Sequence, residues 1–332
     1  MHEVLIIGCG LIAGGFDADR APDALPFTHA GAFARCPAFT VTACVDPDAE
    51  RRSAFQARWN VSEGGADLAA LAQPGRFAVI SICSPTELHR AHMEQALTLR
   101  PKVIFCEKPV AKTSAETRAL AELCSAQGVL LAVNYTRRWD PAVVRLAREL
   151  RSGDWGRVRS ASGIYTKGVV HNGGHMIDLL RLLLGEVDLI ASGAPVYDFW
   201  NDDPSVPAML ASREGVPILL SLGDARDYAV FELTLVTERG TVTMLDGGRA
   251  WSVREAAASG VFAGYRALEP AVRREGEYDA SMLAAVANLA EAIDDGRTLA
   301  SHAGNALAAQ ILCETIRDAA IDGAGNPQRT KQ

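Results

Sequence analysis

Residues 3–15 read EVLIIGCGLIAGG, a short apolar run that ends in a glycine-rich turn. Gly8, Gly10 and Ala13 match the pattern G-x-G-x-x-G/A, which joins the first strand of a parallel sheet to a helix. In that pattern Gly8 allows a tight turn, Gly10 lets the backbone approach a pyrophosphate, and Ala13 lets the helix pack closely on the strand. The amides at the start of the helix then bind the phosphates. The stretch therefore predicts a dinucleotide-binding unit.

An acidic residue at the end of the second predicted strand supports this prediction. Asp46 closes the run FTVTACVD, where a carboxylate accepts hydrogen bonds from the adenosine ribose. It lies farther from the glycines than the usual ~20 residues. The excess matches an insertion, FDADRAPDALPFTHA at 16–30, that we expect to loop out near the cofactor. Asp46 repels a 2′-phosphate and favours NAD, while Arg51 and Arg52 lie close enough to leave NADP open. A structural glycine turn beside an ordinary surface aspartate is the alternative.

The first part of the chain alternates apolar runs with amphipathic segments. The predicted strands are EVLIIG, FTVTACVD, FAVISICS, KVIFCEKP and VLLAVNY, and the predicted helices are Asp48–Arg58, Glu87–Leu97 and Ser114–Ala126. Most of the strands are apolar on both faces, which is typical of a parallel sheet covered by helices. We therefore predict an α/β fold that begins with a doubly wound Rossmann domain over residues 1–134.

After about Tyr135 the rhythm changes. Strand-like runs between Asp188 and Phe262, separated by turn sequences such as REG and ERG, predict hairpins in one mostly antiparallel sheet. Helices are predicted at Pro141–Leu150, from near His175, at Ser281–Asp294 and at Gly304–Ala320, and the polar tail GAGNPQRTKQ is expected to fray. The second predicted domain, an α/β domain for substrate binding and oligomerisation, covers 135–325, with its last helices as candidates to pack back on the first domain.

Composition excludes several classes of protein. The chain has 332 residues and a formal net charge of −7, which argues against nucleic acid or an anionic membrane as its partner. No apolar run is long enough to cross a bilayer, and the N-terminus carries an acid where a signal peptide carries basic residues. The seven cysteines form no CxxC pair. We therefore expect buried free thiols in a reducing cytoplasm and no metal site.

Two further segments carry residues suited to proton transfer. The segment CEKP at 106–109 ends the fourth predicted strand, at the carboxyl edge where open α/β sheets bind ligands. The segment HNGGHMID at 171–178 enters a predicted helix, in which His175 and Asp178 share a face. A histidine can accept or donate a proton near neutral pH, and a carboxylate can orient its imidazole. Both segments are therefore candidates for catalysis.

Five motifs in order give the chain a family resemblance. They are GCGLIAGG at 8–15, the turn Ser84-Pro85-Thr86 with His89, EKP at 107–109, NYTRRWDP at 134–141 and GGHMIDLLRLLLG at 173–185. Together they resemble the glucose–fructose oxidoreductase / inositol dehydrogenase / MocA family over nearly the whole chain. The resemblance implies a Rossmann domain followed by an α/β domain with a large open-faced sheet, which often mediates dimers or tetramers. It implies an NAD(P)-dependent enzyme that oxidises or reduces a sugar, cyclitol or nucleotide-sugar, expected here as a cytoplasmic homodimer or homotetramer.

The resemblance also assigns residues. It places Lys108 beside the nicotinamide, with a cis peptide bond before Pro109, and makes His175 the acid or base, with His171 as a further catalytic candidate. The cofactor-binding residues expected on this basis and from the glycine motif are Gly8, Gly10, Leu11, Ile12, Ala13, Asp46, Ser84, Pro85, Thr86, His89, Glu107, Lys108 and Asn134. The substrate-binding candidates are Lys108, Arg137, Tyr165, Lys167, Asn172, His175 and Asp178.

The chain departs from the family at one of these positions. Many members carry an aspartate four residues before the catalytic histidine, where this chain has His171. The family's Asp–His–Lys relay therefore does not carry over directly, and His171 is a candidate to hold the substrate or to share the proton work with His175. The spacing of these histidines and Asp178 also resembles a metal site, which Gly173 and Gly174 disfavour by interrupting a regular helical pair.

Other residues leave alternatives open. Arg137, Arg138 and Trp139 fit either an anionic substrate group or packing at the domain junction. His29, in the insertion, is expected to be solvated. The alternative function is a sensing regulator that binds a dinucleotide or sugar without turnover, and the presence of both Lys108 and His175 argues against it.

Overall fold

The computed structural model describes residues 1–21, 23–71 and 73–324. The chain divides into two compact units. The first comprises Met1–Trp139 and Asp279–Leu307, and the second comprises Asp140–Tyr278 and the chain from Ala308 onward. The tail GAGNPQRTKQ is predicted to fray, and its residues 325–332 lie outside the described part of the chain.

The first unit is built around a six-stranded parallel sheet in the order β3-β2-β1-β4-β5-β6. With elements numbered along the chain, its strands are β1 (His2–Ile7), β2 (Phe39–Val45), β3 (Glu63–Gly65), β4 (Val79–Ile82), β5 (Val103–Cys106) and β6 (Leu130–Val133). Its helices are α1 (His29–Arg35), α2 (Ala49–Trp59), α3 (Thr86–Thr98), α4 (Ser114–Ala126) and α7 (Ser281–Asp294). The five predicted strands and the doubly wound arrangement are confirmed. The three-residue strand β3 was not predicted, because its sequence EGG carries no apolar pattern.

Local chemistry explains where these elements begin. Every residue of β4 and β5 is buried, as expected for central strands covered on both faces. The Asp48 side chain accepts a hydrogen bond from the Arg51 amide and caps α2, and the Thr113 hydroxyl accepts one from the Glu116 amide and caps α4. These caps place the helix starts within one or two residues of the predicted ones.

The glycine turn and α1 form one helix that is interrupted by an excursion. A first helical turn is closed by the Gly14 amide, which donates to the Gly10 carbonyl at 3.2 Å. The helix then resumes at α1, whose first amides, of His29 and Ala30, donate to the carbonyls of Ile12 and Ala13 at 3.2 and 2.8 Å. Each of these donors lies seventeen positions after its acceptor in the sequence. In a regular α-helix the donor lies four positions after its acceptor, so thirteen residues loop out between them. The insertion therefore loops out as predicted, but it ends before α1, so that His29 and Ala30 belong to the helix and not to the loop.

The second unit carries a nine-stranded sheet in the order β14-β13-β12-β11-β7-β10-β9-β8, with β15 also paired to β13. Its strands are β7 (Val158–Tyr165), β8 (Val187–Ser192), β9 (Ala208–Ser212), β10 (Pro217–Leu222), β11 (Phe231–Thr237), β12 (Gly240–Leu245), β13 (Ala250–Ala258), β14 (Arg266–Leu268) and β15 (Val272–Glu275). Its helices are α5 (Pro141–Ser152) and α6 (Gly173–Leu184), and α8 (Ala303–Ala324) begins in the first unit and ends in the second. Strands β7 and β10 pair in parallel and the other named pairs of this sheet are antiparallel, which confirms the mostly antiparallel prediction.

One face of this sheet is open. Along β10 and β11 buried and more exposed residues alternate, as they do when only one face is covered. On the open face Leu219 and Met209, which are register partners, are each more than half exposed.

Two general expectations concern the whole of the described chain. The seven cysteines are free thiols, and all except Cys36 are buried. None of the described helices is long and apolar enough to cross a membrane.

Candidate functional site

The glycine turn after β1 has the geometry that its pattern predicts. Gly8 has a φ of +87°, and a Cβ there would lie 2.8 Å from the Ser84 amide nitrogen, so another residue would be strained and in collision. A Cβ on Gly10, by contrast, would meet no heavy atom within 4 Å. Ala13 is fully buried in the core, and Leu11 is largely exposed. The turn therefore leaves open space beside Gly10, where a pyrophosphate can approach the backbone.

Asp46 connects the end of β2 to this turn. Its carboxylate is buried and accepts hydrogen bonds from the amides of Cys9 and Asp48, both at 2.9 Å. The guanidinium of Arg51 lies 3.4 Å from both carboxylate oxygens, and Arg52 donates to the Asp46 carbonyl at 2.6 Å. Asp46 thus stabilises the glycine turn, and it has a half-exposed cation beside it.

The turns that follow β4 and β5 are held together by His89. Its ring nitrogens lie 2.8 Å from the carbonyl of Ser84 and 2.9 Å from that of Pro109. Pro85 precedes α3, and Thr86 is the first residue of that helix. Because His89 is buried and both of its nitrogens contact backbone carbonyls, it braces the two turns and presents no ring nitrogen to a ligand.

His29 is at the centre of a buried polar cluster in the first unit. Its Nε2 lies 2.9 Å from Glu107 Oε1 and its Nδ1 lies 2.6 Å from the Ser81 hydroxyl. The Asn134 amide also donates to Glu107 Oε1, at 2.6 Å. The prediction that His29 is solvated was wrong. The excursion ends just before His29, so that this residue opens α1 and points into the core, where its ring lies 4.5 Å from that of Phe105.

The charges in this cluster reinforce each other. Burial disfavours the imidazolium form of His29, but the neighbouring Cys83 sulfur and the Glu107 carboxylate favour it, and together they raise the pKa of His29 to about 10. Burial likewise opposes ionisation of Glu107, but the hydrogen bond and charge of His29, the hydrogen bond from Asn134 and the charge of Lys108 together outweigh it and lower the pKa of that carboxyl. His29 and Glu107 therefore form an ion pair at neutral pH, in which the imidazole is fully buried and the carboxylate is largely buried.

Asn134 provides an independent sign of a ligand. It follows β6 and is buried, and its Oδ1 is one of the buried side-chain atoms of the described residues that have no hydrogen-bond partner. A buried acceptor left unsatisfied costs about 1–3 kcal/mol. Because the amide nitrogen is fixed by Glu107, this oxygen is fixed as well, and it suits a ligand that donates an N–H group. The open space at Gly10 and this acceptor both fit a nicotinamide dinucleotide.

Lys108 lies at the carboxyl end of β5, next to this cluster. It is half-buried, its amide donates to Glu107 Oε2 at 3.3 Å, and its peptide bond to Pro109 is cis, as expected. The carboxyl ends of β1, β2, β4, β5 and β6 thus bring together Gly8, Asp46, Ser84, Lys108 and Asn134.

In the second unit a π-helical turn over Gly168–Asn172 leads directly into α6. His175 lies half-buried in the first turn of α6, and Asp178, one turn later, is buried. The side-chain amide of Asn172 donates to the Thr166 carbonyl at 2.9 Å, which fixes the turn before the helix.

The ring of Tyr165 underlies the start of α6. A Cβ on Gly173 would lie 2.9 Å from this ring, which explains the glycine. The Tyr165 hydroxyl donates to the Val206 carbonyl at 2.8 Å and accepts from the Val206 amide at 3.0 Å, and burial raises the pKa of this phenol. Tyr165 has no exposed surface, so its prediction as a substrate-facing residue was wrong.

His171 is paired with a carboxylate that the sequence did not indicate. Its Nδ1 lies 2.7 Å from the buried carboxylate of Asp203, which also accepts the His171 amide at 2.9 Å. The imidazole stacks on Trp200, with ring centroids 4.6 Å apart and planes 22° apart. No local spacing could reveal this pairing, because Asp203 follows His171 by 32 residues. Among the described residues no group of three or more histidine, cysteine or acidic side chains could hold a metal ion.

In the segment 137–139, Trp139 serves as packing. Trp139 is buried in the core of the first unit, where its ring meets Phe105 edge-on at 5.9 Å and its Nε1 donates to Asn288 at 3.0 Å. It is therefore not a surface on which a substrate can stack. Arg137 is buried too, and Arg138 reaches the Ala300 carbonyl at 3.5 Å.

Comparisons with known proteins agree with this geometry. Residues 2–135 match the Gfo/Idh/MocA sequence model, described as an oxidoreductase family with an NAD-binding Rossmann fold. A D-apiose dehydrogenase from Paraburkholderia graminis is 29% identical over 220 residues, which are 60% of this chain and 58% of that protein. An inositol 2-dehydrogenase from Rhizobium meliloti is 26% identical over 51% of this chain and 50% of its own length. The matches thus span 50–58% of the length of these curated relatives.

The whole fold also resembles solved structures. An oxidoreductase from Agrobacterium radiobacter, in complex with NAD+, L-tartaric acid and magnesium, superposes with a TM-score of 0.75. The match has 18% sequence identity and covers 97% of both chains. At this identity the likeness concerns the fold, and it extends over both units.

Proposed function

We propose that this chain, which belongs through residues 2–135 to the Gfo/Idh/MocA family of NAD-binding Rossmann oxidoreductases, transfers a hydride between NAD(P) and a sugar-like secondary alcohol or ketone. The observation that carries the proposal is the unsatisfied Asn134 Oδ1 beside the Glu107–Lys108 turn. It places an acceptor for an amide N–H at the carboxyl ends of the strands, where such sheets bind dinucleotides.

Several residues of the first unit would hold the cofactor. The open space at Gly10 would admit the pyrophosphate, and Asn134 Oδ1 would accept from the nicotinamide carboxamide. Asp46 would bind the adenosine ribose, with Arg51 available for a 2′-phosphate. The bound nicotinamide would accept or donate the hydride, and the protein supplies orientation and proton transfer.

We assign the proton transfer to Lys108 and His175. Oxidation of a secondary alcohol requires that the hydroxyl proton leaves to a positioned base, and the reverse reaction requires an acid. Lys108 would polarise the substrate oxygen, and His175 would take the proton. His171 and Lys167 would bind other hydroxyl groups of the substrate.

The proposal is tested by the absorbance of reduced nicotinamide when the protein is mixed with NAD or NADP and a panel of polyols. The panel contains myo-inositol and D-apiose, which the names of the relatives suggest, together with D-glucose and UDP-glucose. We expect turnover with at least one ring-shaped substrate. A protein that binds NAD but turns over none of them, with Lys108→Ala and His175→Ala without effect on binding of those compounds, would favour the sensing regulator instead.

Lys108→Ala gives the sharpest prediction for the assigned chemistry. We expect kcat to fall about 10²–10⁴-fold, the usual contribution of a positioned acid or base. The dissociation constant for NAD, from fluorescence titration, should change less than about threefold, because the cradle at Gly8, Gly10 and Asn134 is untouched. The control is Lys112→Ala, which removes an exposed lysine four residues later. An unchanged kcat in Lys108→Ala would remove this residue from the mechanism.

We further propose a cytoplasmic homo-oligomer assembled through the open face of the second sheet. The free cysteines support a reducing compartment. The adjacent exposed side chains of Met209 and Leu219 support burial against another copy.

A further inference from the structure

The segment 197–205, which follows β8 in the second unit, carries exposed aromatic rings between two buried carboxylates. Asp198 is 4% exposed and Asp203 is 3% exposed. Between them, Phe199 is 54% exposed and Trp200 is 40% exposed. The segment is therefore fixed at both ends by buried carboxylates and exposes aromatic rings to solvent between them.

The carboxylates act as anchors because backbone amides surround them. Asp198 accepts hydrogen bonds from the Lys167 amide at 2.9 Å and from the Ser205 hydroxyl at 2.8 Å. Asp203 accepts from the Val170 amide at 3.0 Å as well as from His171. These bonds tie both ends of the segment to the turn that leads into α6.

The rings are held in a defined arrangement. Phe199 meets Trp200 edge-on, with centroids 4.9 Å apart and planes 77° apart. Trp200 in turn stacks on His171, whose Nδ1 is fixed by Asp203. The Lys167 ammonium lies 5.1 Å from the Phe199 ring. An exposed aromatic surface thus adjoins an imidazole and an ammonium group that can bond to hydroxyls.

We propose that segment 197–205 is a recognition site for an uncharged monosaccharide or cyclitol ring, an inference that rests on the proposed function and narrows its substrate class. The apolar C–H face of the ring would pack on Trp200 and Phe199, as amphipathic ligands pack on aromatic side chains. The imidazole of His171 and the ammonium of Lys167 would bond to the hydroxyls at its edge. Asp203 is then a positioning residue for His171.

The charge of the segment selects against the other substrate class. Residues 197–205 contain Asp198, Asp202 and Asp203 and no lysine or arginine. Against the one ammonium group of Lys167, the three carboxylates leave the site with a net negative charge, which disfavours the diphosphate of a nucleotide-sugar. The site therefore suits a neutral ring better than a nucleotide-sugar.

The test is saturation-transfer difference NMR with myo-inositol, D-glucose and UDP-glucose as probes, on the full chain with NAD present. We expect signals from a neutral ring, reduced about tenfold in Trp200→Ala and largely restored in Trp200→Phe. Phe262→Ala, which removes an exposed aromatic side chain elsewhere in the same unit, should leave the signals unchanged. With a substrate that turns over, Trp200→Ala should raise KM about tenfold and change kcat less than about threefold, which a general loss of folding would not do.

Three outcomes overturn the inference: no signal from either neutral ring, an equal signal in Trp200→Ala, or tighter binding of UDP-glucose than of the neutral rings. Neutral-ring binding that depends on Trp200, in a protein that never reduces NAD, would support this site and reject the proposed oxidoreductase activity. Turnover that is insensitive to Trp200→Ala would do the reverse. The two proposals are thus separable.

Discussion

At the scale of single residues, the buried pair of His29 and Glu107 sets the geometry around Lys108. One carboxylate oxygen of Glu107 forms hydrogen bonds with His29 and Asn134, and the other accepts a hydrogen bond from the Lys108 amide. Removing one partner of a buried ion pair leaves an uncompensated charge and usually costs about 3–5 kcal/mol. His29 therefore matters for folding and, through Glu107, for the orientation of Asn134.

His29→Gln tests this pair. We expect the free energy of unfolding to fall by about 3 kcal/mol at pH 6, measured by urea denaturation. The surface pair of His2 with Asp294 is the control, and His2→Gln should cost less than about 1 kcal/mol, because Asp294 is half-exposed. Equal losses in the two variants would show that the buried pair contributes nothing special.

The same pair predicts a dependence on pH. The pKa of His29 is raised from 6.5 to about 10. The stability that this shift contributes is therefore complete below pH 6.5 and is lost as the pH rises towards 10. The pKa of Glu107 is lowered, so its contribution is lost on the acid side, as the pH falls below 4.5. The difference between wild type and His29→Gln should therefore be largest near pH 5–6 and shrink towards pH 10. A difference that grows with pH would contradict the pair.

Arg51 gives a prediction about cofactor choice. Its half-exposed guanidinium lies 3.4 Å from Asp46, at the end of β2 where the adenosine ribose is expected. Arg51→Ala should weaken NADP about tenfold in fluorescence titrations and weaken NAD less than about threefold, since only NADP carries a phosphate to pair with it. Exposed Arg58→Ala is not a suitable control, because Arg58 bonds to the insertion. Exposed Arg118→Ala on α4 serves instead.

At the scale of elements, the insertion is an excursion from a helix whose ladder of hydrogen bonds resumes across it, from His29 and Ala30 to Ile12 and Ala13. Deleting residues 15–27 removes thirteen residues and joins Gly14 to Thr28 with the ladder in register. We expect this variant to fold and to bind NAD, with a melting temperature lowered by a few degrees through loss of the contacts of Asp17.

A shorter deletion provides the matched control. Removal of residues 15–26 turns α1 by about 100° relative to the first variant. His29 then leaves Glu107, so this variant should lose much more stability, seen in thermal denaturation by circular dichroism. If both deletions behave alike, the ladder does not set the register.

The elements also show what the sequence can predict. Five strands of the first sheet, the start of α4 and the glycine turn depend on neighbouring residues, so local patterns indicated them. The pairs His29–Glu107 and His171–Asp203 join residues 78 and 32 positions apart, and no local pattern encodes them. His29 was misplaced because it was grouped with the polar insertion, and Tyr165 because a strand pattern does not say which of its faces is covered.

At the scale of the whole molecule, the open face of the second sheet bears on assembly. Met209 and Leu219 are register partners on neighbouring strands and are both exposed. If this face assembles copies of the chain, Leu219→Glu should shift the protein to a monomer in analytical ultracentrifugation, because a buried unpaired carboxylate is costly. Tyr228→Glu, which alters an exposed residue of a loop, should leave the assembly unchanged. A monomeric wild type, or an oligomer that survives Leu219→Glu, would refute this interface.

The division of the first unit between two stretches of chain has a consequence for its synthesis. Val133, in the edge strand β6, bonds to Ser301 through its amide at 3.3 Å and its carbonyl at 2.6 Å, and Ala132 forms a bridge with His302. A ribosome that has released only residues 1–139 has therefore made a sheet with a bare edge, which invites association with other nascent chains. The first unit can complete this edge only after the whole intervening unit has emerged, so the pairing of β6 waits for the synthesis of Ser301 and His302.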